Sequence, residues 1–170
     1  MDLPDLIGRL ERTAATYDTL LRGLDEERVR WSPRPEAWSL LLVVCHLADE
    51  ERDDFKPRLA HVLEGREGDF TSIDPEGWVS SRDYAGQEYE ASLDRFLDER
   101  ARSLEWLRGL DAPDWSLEYE HPALGVLSAG DLMASWVAHD LLHMRQVLKL
   151  LHDSLLAEVE PHGTDYAGPW

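Results

Sequence analysis

The sequence predicts an all-α protein, a four-helix bundle with long connecting loops, and three observations carry that prediction. Apolar residues recur at alternating steps of four and three in four separate stretches, the pattern of helices that bury one stripe. Segments rich in Pro, Gly, Ser and Asp divide those stretches. Nowhere does a strong two-residue alternation announce a strand. Four amphipathic helices of this kind pack most simply as a bundle, and 170 residues suit one domain spanning 1–170.

The first helix is marked by Leu3, Ile7, Leu10, Ala14, Tyr17, Leu21 and Leu24. The segment WSPRPEAWS then breaks it, with two prolines and with Ser39 as the N-cap of the next helix. A second helix is expected from about Leu40 to about Gly65, kinked or split at Pro57. Residues 65–85 form a long loop. The third helix is expected from about Gln87 to Leu110, with Leu93, Phe96, Leu97, Leu104 and Leu107 inward. Another loop, DAPDWSLEYEHPALGVL, reaches Ser128, and with Asp131 three residues on Ser128 opens a fourth helix that continues to about Leu155. The loops after the first and third helices have room for short extra turns. The tail EPHGTDYAGPW is expected to be irregular.

Composition narrows the function classes. The net charge of −18 repels phosphate backbones and anionic lipid, so neither nucleic acid nor a membrane surface is an expected partner. The sequence shows no evident basic cluster. Cys45, the single cysteine, permits no internal disulfide and fits a reducing compartment. The N-terminus has no signal-peptide pattern, and the longest apolar run, Leu40 to Cys45, is too short for a bilayer. A cytoplasmic protein acting on a small molecule is the resulting expectation. A homodimer is compatible with a bundle of this size, although no residue pattern demands one.

The chemistry lies in polar residues on faces that should be apolar. In WVAHDLLHMRQVLKLL, the seam runs through Leu132, Trp136, His139, His143, Gln146 and Leu150. His139 and His143 are one helical turn apart, a spacing that lets two neutral imidazoles share one divalent metal. The plain alternative is a pair of hydrogen-bonded core histidines. On the second helix His46 lies on the face of Leu42, Val43 and Leu47, with Glu50 one turn further. Three inward histidines on two helices are harder to satisfy singly, and a shared cation satisfies one nitrogen of each. Three protein ligands leave coordination positions open, as catalytic sites require. A thiol at such a position becomes a thiolate nucleophile; water there becomes hydroxide and makes a hydrolase. A third reading is a bundle that binds metal or ligand without catalysis.

Neighbouring residues have two readings each. Glu50 is a candidate base or partner of a ligand imidazole. Arg100, between Phe96 and Leu104 on the apolar side of the third helix, is an ion-pair residue, with Glu50 as one partner, or a clamp for a substrate anion. Asp140 and Gln146 are positioned to orient ligand imidazoles or to face solvent. Cys45 is expected in the core, His121 in a loop, and His61, His152 and His162 on the surface or in the tail. HDLLH departs from the metalloprotease HExxH by carrying Asp140 in place of Glu, which puts a base further from the metal.

WSLLLVVCHLADEE, with His46, and HPALGVLSAGDLMASWVAHDLLHMRQVLKLL, with His139 and His143, resemble the second and final helices of the DinB-like family. WSPRPEAWS and the closing GPW add to the likeness, which covers most of the chain. The resemblance implies a four-helix bundle in which three histidines, here His46, His139 and His143, hold a divalent metal, zinc or nickel, at one end. For characterised relatives it further implies activation of a low-molecular-weight thiol as cosubstrate. The combined expectation is a metal-dependent thiol transferase, with Glu50 and Arg100 as candidate catalytic residues. A metal-dependent hydrolase of a small substrate is the alternative.

Overall fold

A computed structural model describes residues 1–170. The four expected helices are present. Helix α1 spans Leu3–Leu21, and Asp2 caps it by accepting the Asp5 N–H. A short α2, Glu26–Arg30, occupies the first of the loops with room for an extra turn. The second expected helix comes in three pieces. Helix α3, Leu40–Glu50, starts at the Ser39 cap; a π-helical turn covers Glu51–Phe55; α4, Lys56–Leu63, continues beyond it. Pro57 sits in the first turn of α4, where its missing N–H costs least, so the division falls where proline predicts it.

The long loop holds structure that its composition concealed. Pro75–Ser81 forms α5, with Asp74 as N-cap and Pro75 at its start, and Tyr84–Gly86 forms a 3-10 turn. Helix α6 runs Tyr89–Arg108. The segment before the last helix is not a plain loop: Glu118–His121 (β1) and Gly125–Ser128 (β2) pair antiparallel as a hairpin. Its turn is fixed by Gly125, at φ 76°, and by His121 Nδ1, which accepts the N–H groups of Ala123 and Leu124 at 3.2 and 3.1 Å. The hairpin escapes a periodicity search because each strand has only four residues. Helix α7, Ala129–Glu158, opens with a reciprocal capping box between Ser128 and Asp131. No helix is long and apolar enough to cross a membrane.

The interior divides into two hydrophobic clusters. One gathers Tyr17, Leu21, Leu93, Phe96, Val147 and Leu150 around most of α3. The other gathers Ile7, Leu10, Leu59, Leu104, Leu107, Met133 and Trp136. A polar layer lies between them. On α6, Arg100 falls between Phe96 and Leu104; on α1, Thr13 falls between Leu10 and Tyr17; on α7, Asp140 falls between Val137 and Val147. Glu51 occupies the equivalent place between Ala48 and Leu59.

Arg100 is 2% exposed and joins this layer together. It donates to Glu51 from Nε and Nη2 at 2.8 and 3.0 Å, and to Asp140 from Nη1 and Nη2 at 2.7 Å each. Its Nη1 also donates to the Leu10 carbonyl at 3.1 Å. Trp136 Nε1 donates to Glu51 at 2.9 Å, Thr13 donates to Asp140, and the Tyr17 hydroxyl donates to the Asp140 carbonyl at 2.7 Å. Burial opposes the Arg100 charge, but the two carboxylates outweigh it and hold the guanidinium firmly protonated.

Arg100→Ala leaves two buried carboxylates without their cation. It is expected to cost about 3–5 kcal/mol of unfolding free energy, read from urea midpoints at constant slope. A loss under about 1 kcal/mol, the range of a surface ion pair, would show that the layer is not what joins the two clusters.

Candidate metal centre

His46 comes from the middle of α3, a helix buried on nearly every side, and is itself 6% exposed. His139 and His143 come from α7 and are half-buried. The α7 seam is displaced from the expected one: Met133, Trp136, Val137, Asp140, Val147 and Leu150 are buried, and the two histidines flank that stripe. The imidazoles therefore stand at the border between core and solvent, where a ligand can reach them. They are also not at a bundle end. His143 lies near the centre of the 30-residue α7, and His139 directly precedes Asp140 of the polar layer.

One ring nitrogen from each of His46, His139 and His143 lies within 4.8 Å of the others. The Nε2 atoms of His139 and His143 are 3.1 Å apart. Two nitrogens bound to one cation at ~2.1 Å stand roughly 3.0–3.4 Å apart at octahedral to tetrahedral angles. The α7 pair thus already has ligand spacing, and His46 closes the third side. His143 Nδ1 faces Gln146 Oε1 at 2.8 Å, so donation to that oxygen leaves Nε2 with its lone pair toward the centre. His46 Nδ1 is buried without a hydrogen-bond partner, and Glu50 Oε1 lies 3.9 Å from it. The confronting Nε2 pair, with His46 on the third side, has the spacing of a cation site.

Electrostatics keep the three rings in the form that binds metal. Burial, followed by neighbouring His143, lowers His46 to about 4. Burial, then His143 and His46, also holds His139 well below its ordinary value, and burial lowers His143. Aromatic rings frame the group: Trp38 meets His46 edge-on at 5.0 Å between centroids, and Phe55 lies 4.8 Å from His139 and stacks on Trp136.

The other sequence candidates are placed differently. Glu50 is buried on the His46 side, and its carboxyl is held well above the usual carboxylate range by burial and by the Asp54 carboxylate. Arg100 pairs with Glu51, not Glu50, because Glu50 shares the His46 face while Glu51 lies about 100° further round. All five Arg100 N–H groups go to protein acceptors, which leaves none for a substrate anion. Asp140 is spent on Arg100 and Thr13 and orients no imidazole; Gln146 does. Cys45 is fully buried, with its thiol raised by burial. His61 packs against Phe70 and Tyr119, and His152 stacks on Trp170 at 4.3 Å, so both are half-buried, not surface residues. Residue spacing does not single out Glu51, Trp38 or Phe55. The only signal for Glu51 is a second acid in a helix otherwise too apolar to face water.

The fold is a helical bundle whose histidine triad has the spacing to hold a metal ion, and residues 9–147 match the DinB superfamily, to which this chain belongs. It is structurally similar to YfiT from Bacillus subtilis, described as "a probable metal-dependent hydrolase with an unusual four-helix bundle topology". The two share a TM-score of 0.77 at 19% identity, over 89% of this chain and 87% of YfiT. Among curated proteins no match to the chain is found.

Gln146→Leu removes the acceptor that orients His143 and is expected to weaken metal affinity by about 10–100-fold, measured by competition with a chromogenic chelator. For the metal-free protein, a His held neutral in the fold binds fewer protons than the unfolded chain below about pH 6.5. That share of stability is present above this pH and is lost as the pH falls through it. Glu50, raised in the fold to about 9, acts with the opposite sign from about pH 4.5 to about pH 9, so the comparison is between wild type and His139→Gln. The variant is expected to lose less stability than wild type between pH 7 and about pH 5, in urea unfolding; an unchanged difference would mean that His139 titrates normally.

Proposed function

We propose that this chain is a divalent-metal-dependent enzyme that transfers a low-molecular-weight thiol to a small electrophile. The observation that carries the proposal is the donor set itself, three neutral imidazoles with no fourth protein ligand beside them. When bound, the cation supplies Lewis acidity at an open position and lowers the pKa of a thiol or water there. Zinc or nickel suits three imidazoles.

The chain's own residues favour thiol over water. Glu50 is held protonated by burial and Asp54, and Asp140 is committed to Arg100. Neither stands ready as a general base. A thiol, with an ordinary pKa of about 8.5, needs far less help to ionise than water at about 15.7. Gln146 fixes the His143 ring, and Glu50 stands where it can pair with His46 Nδ1, so both act as positioning residues. Trp38 and Phe55 exclude water from two sides of the triad. A cavity of about 390 Å³ adjoins the triad through Trp38 and Gln146, though none of the three histidines lines it, and its size suits a small reactant. Lys149 on its wall is paired with Asp153, whereas Arg34 is not, and Arg34 favours an anionic reactant.

A second reading, hydrolysis of a small ester, lactone or amide, is favoured by the likeness to YfiT. The two are separated by one screen of the metal-loaded protein. Conjugation of an electrophile such as monochlorobimane by one member of a thiol panel supports the transferase. Turnover of hydrolytic substrates without thiol supports the hydrolase. In either case His143→Ala is expected to retain less metal than wild type and to lose at least about 100-fold in kcat/KM, about 3 kcal/mol of transition-state stabilisation. Equal metal content in the two proteins removes the basis of both readings.

A further inference from the structure

Four arginines that are scattered through the sequence meet at one cavity. Arg52 lies on the π-turn, Arg58 on α4, Arg66 in the loop after α4 and Arg82 at the end of α5, and all four line a space of about 400 Å³. This volume exceeds that of a single small ion and lies in the range of small-molecule sites. In a chain of net charge −18, such a grouping is unexpected. Asp53 is the one acidic residue among those lining the cavity.

Protein carboxylates use only part of each guanidinium. Arg52 gives Nε and Nη2 to Asp53 and Asp49, which leaves Nη1. Arg82 gives Nη1 to Asp49 and Asp53, which leaves Nε and Nη2. Arg58 meets Asp54 through Nε, and Arg66 meets Glu64 through Nε and Nη2. Every one of the four therefore retains N–H donors without a protein acceptor. The bonds they do make act as braces, and aromatic faces add to them: Arg82 lies 4.0 Å over the Trp78 ring and Arg58 lies 5.2 Å over Phe70. Thr71 and Ser72 add hydroxyls to the same wall. Braced guanidinium forks arriving from several directions suit a tetrahedral oxyanion, which accepts bidentate pairs on more than one face.

We infer that this cavity is a binding site for a phosphate group, carried on a small organic monoester or free, separate from the histidine triad. The arginines hold the oxyanion, and the remaining volume takes the ester's organic part. Phosphate binding there is independent of the reaction at the triad.

Calorimetric titration at constant ionic strength tests it, with phenyl phosphate and inorganic phosphate as probes. Wild type is expected to bind phenyl phosphate saturably at one site. Arg58→Gln and Arg66→Gln are each expected to weaken binding by about tenfold or more, the loss of a charge-assisted pair. Arg66 is 56% exposed, so its variant keeps the fold and the same unfolding midpoint. His143→Ala, impaired at the triad, is expected to bind phosphate as wild type does. Tighter binding of phenyl phosphate than of inorganic phosphate assigns the ligand as an ester, and equal binding assigns it as free phosphate. Absence of saturable binding to wild type overturns the site. So does binding that survives both arginine substitutions or is lost in His143→Ala.

Discussion

The bundle depends on one buried cation. Arg100 enters a layer where every helix of the bundle interrupts its apolar stripe, and its five N–H groups bind the π-turn, α7 and α1 together. A buried ion pair of this kind is weak evidence for added stability, because desolvation offsets much of the attraction. Its force is geometric. Glu51 and Asp140 must each face Arg100, which fixes the rotation of both the α3–α4 unit and α7 about their axes. Once those rotations are set, His46 and His139, five residues before Glu51 and one before Asp140, are aimed at the same place. The π-turn contributes directly, since it carries Glu51 at one end and Phe55, the neighbour of His139, at the other.

Placement at the side of the bundle reconciles two demands on the triad. For the proposed metal enzyme, the rings must be dry enough to remain neutral, and at least one coordination position must be open to substrate. His46, deep in α3, meets the first demand; His139 and His143, flanking the buried stripe of α7, meet the second. An all-buried seam would have satisfied packing and closed the site. The polar layer also removes Asp140 from the ligand sphere, although it is adjacent in sequence to His139. This keeps the donor set uncharged and leaves the whole charge of a bound cation available to a reactant.

Much of this is legible from residue types and spacing, for reasons that differ by element. The four helices announce themselves because in each the apolar positions recur at steps of three and four over several turns. His139 and His143 are conspicuous because two imidazoles one turn apart displace Leu from a packed helix. The hairpin, α5 and the exact α7 seam are not legible. Four-residue strands and a seven-residue helix are too short for a period to emerge, and a stripe displaced by one residue changes the burial of Met133 and Leu132 without changing the spacing. Arg100 is visible as a charge on an apolar face, but its partner is not. Glu50 and Glu51 are neighbours in sequence and both are buried, and only the rotation of α3 decides which one faces Arg100. The arginine cavity is invisible for the same reason: residues 52, 58, 66 and 82 share no periodicity and converge only when the 64–82 connection folds back against α4.

The convergence of three imidazoles on one cation is tested most directly by X-ray absorption of the zinc-loaded protein. Zinc is expected to show about three imidazole nitrogens at ~2.0–2.1 Å with the remaining positions filled by water or other exogenous donors, and one imidazole fewer in His46→Ala. A zinc shell with fewer than two imidazoles in the wild-type protein, or one unchanged by loss of His46, would contradict the account.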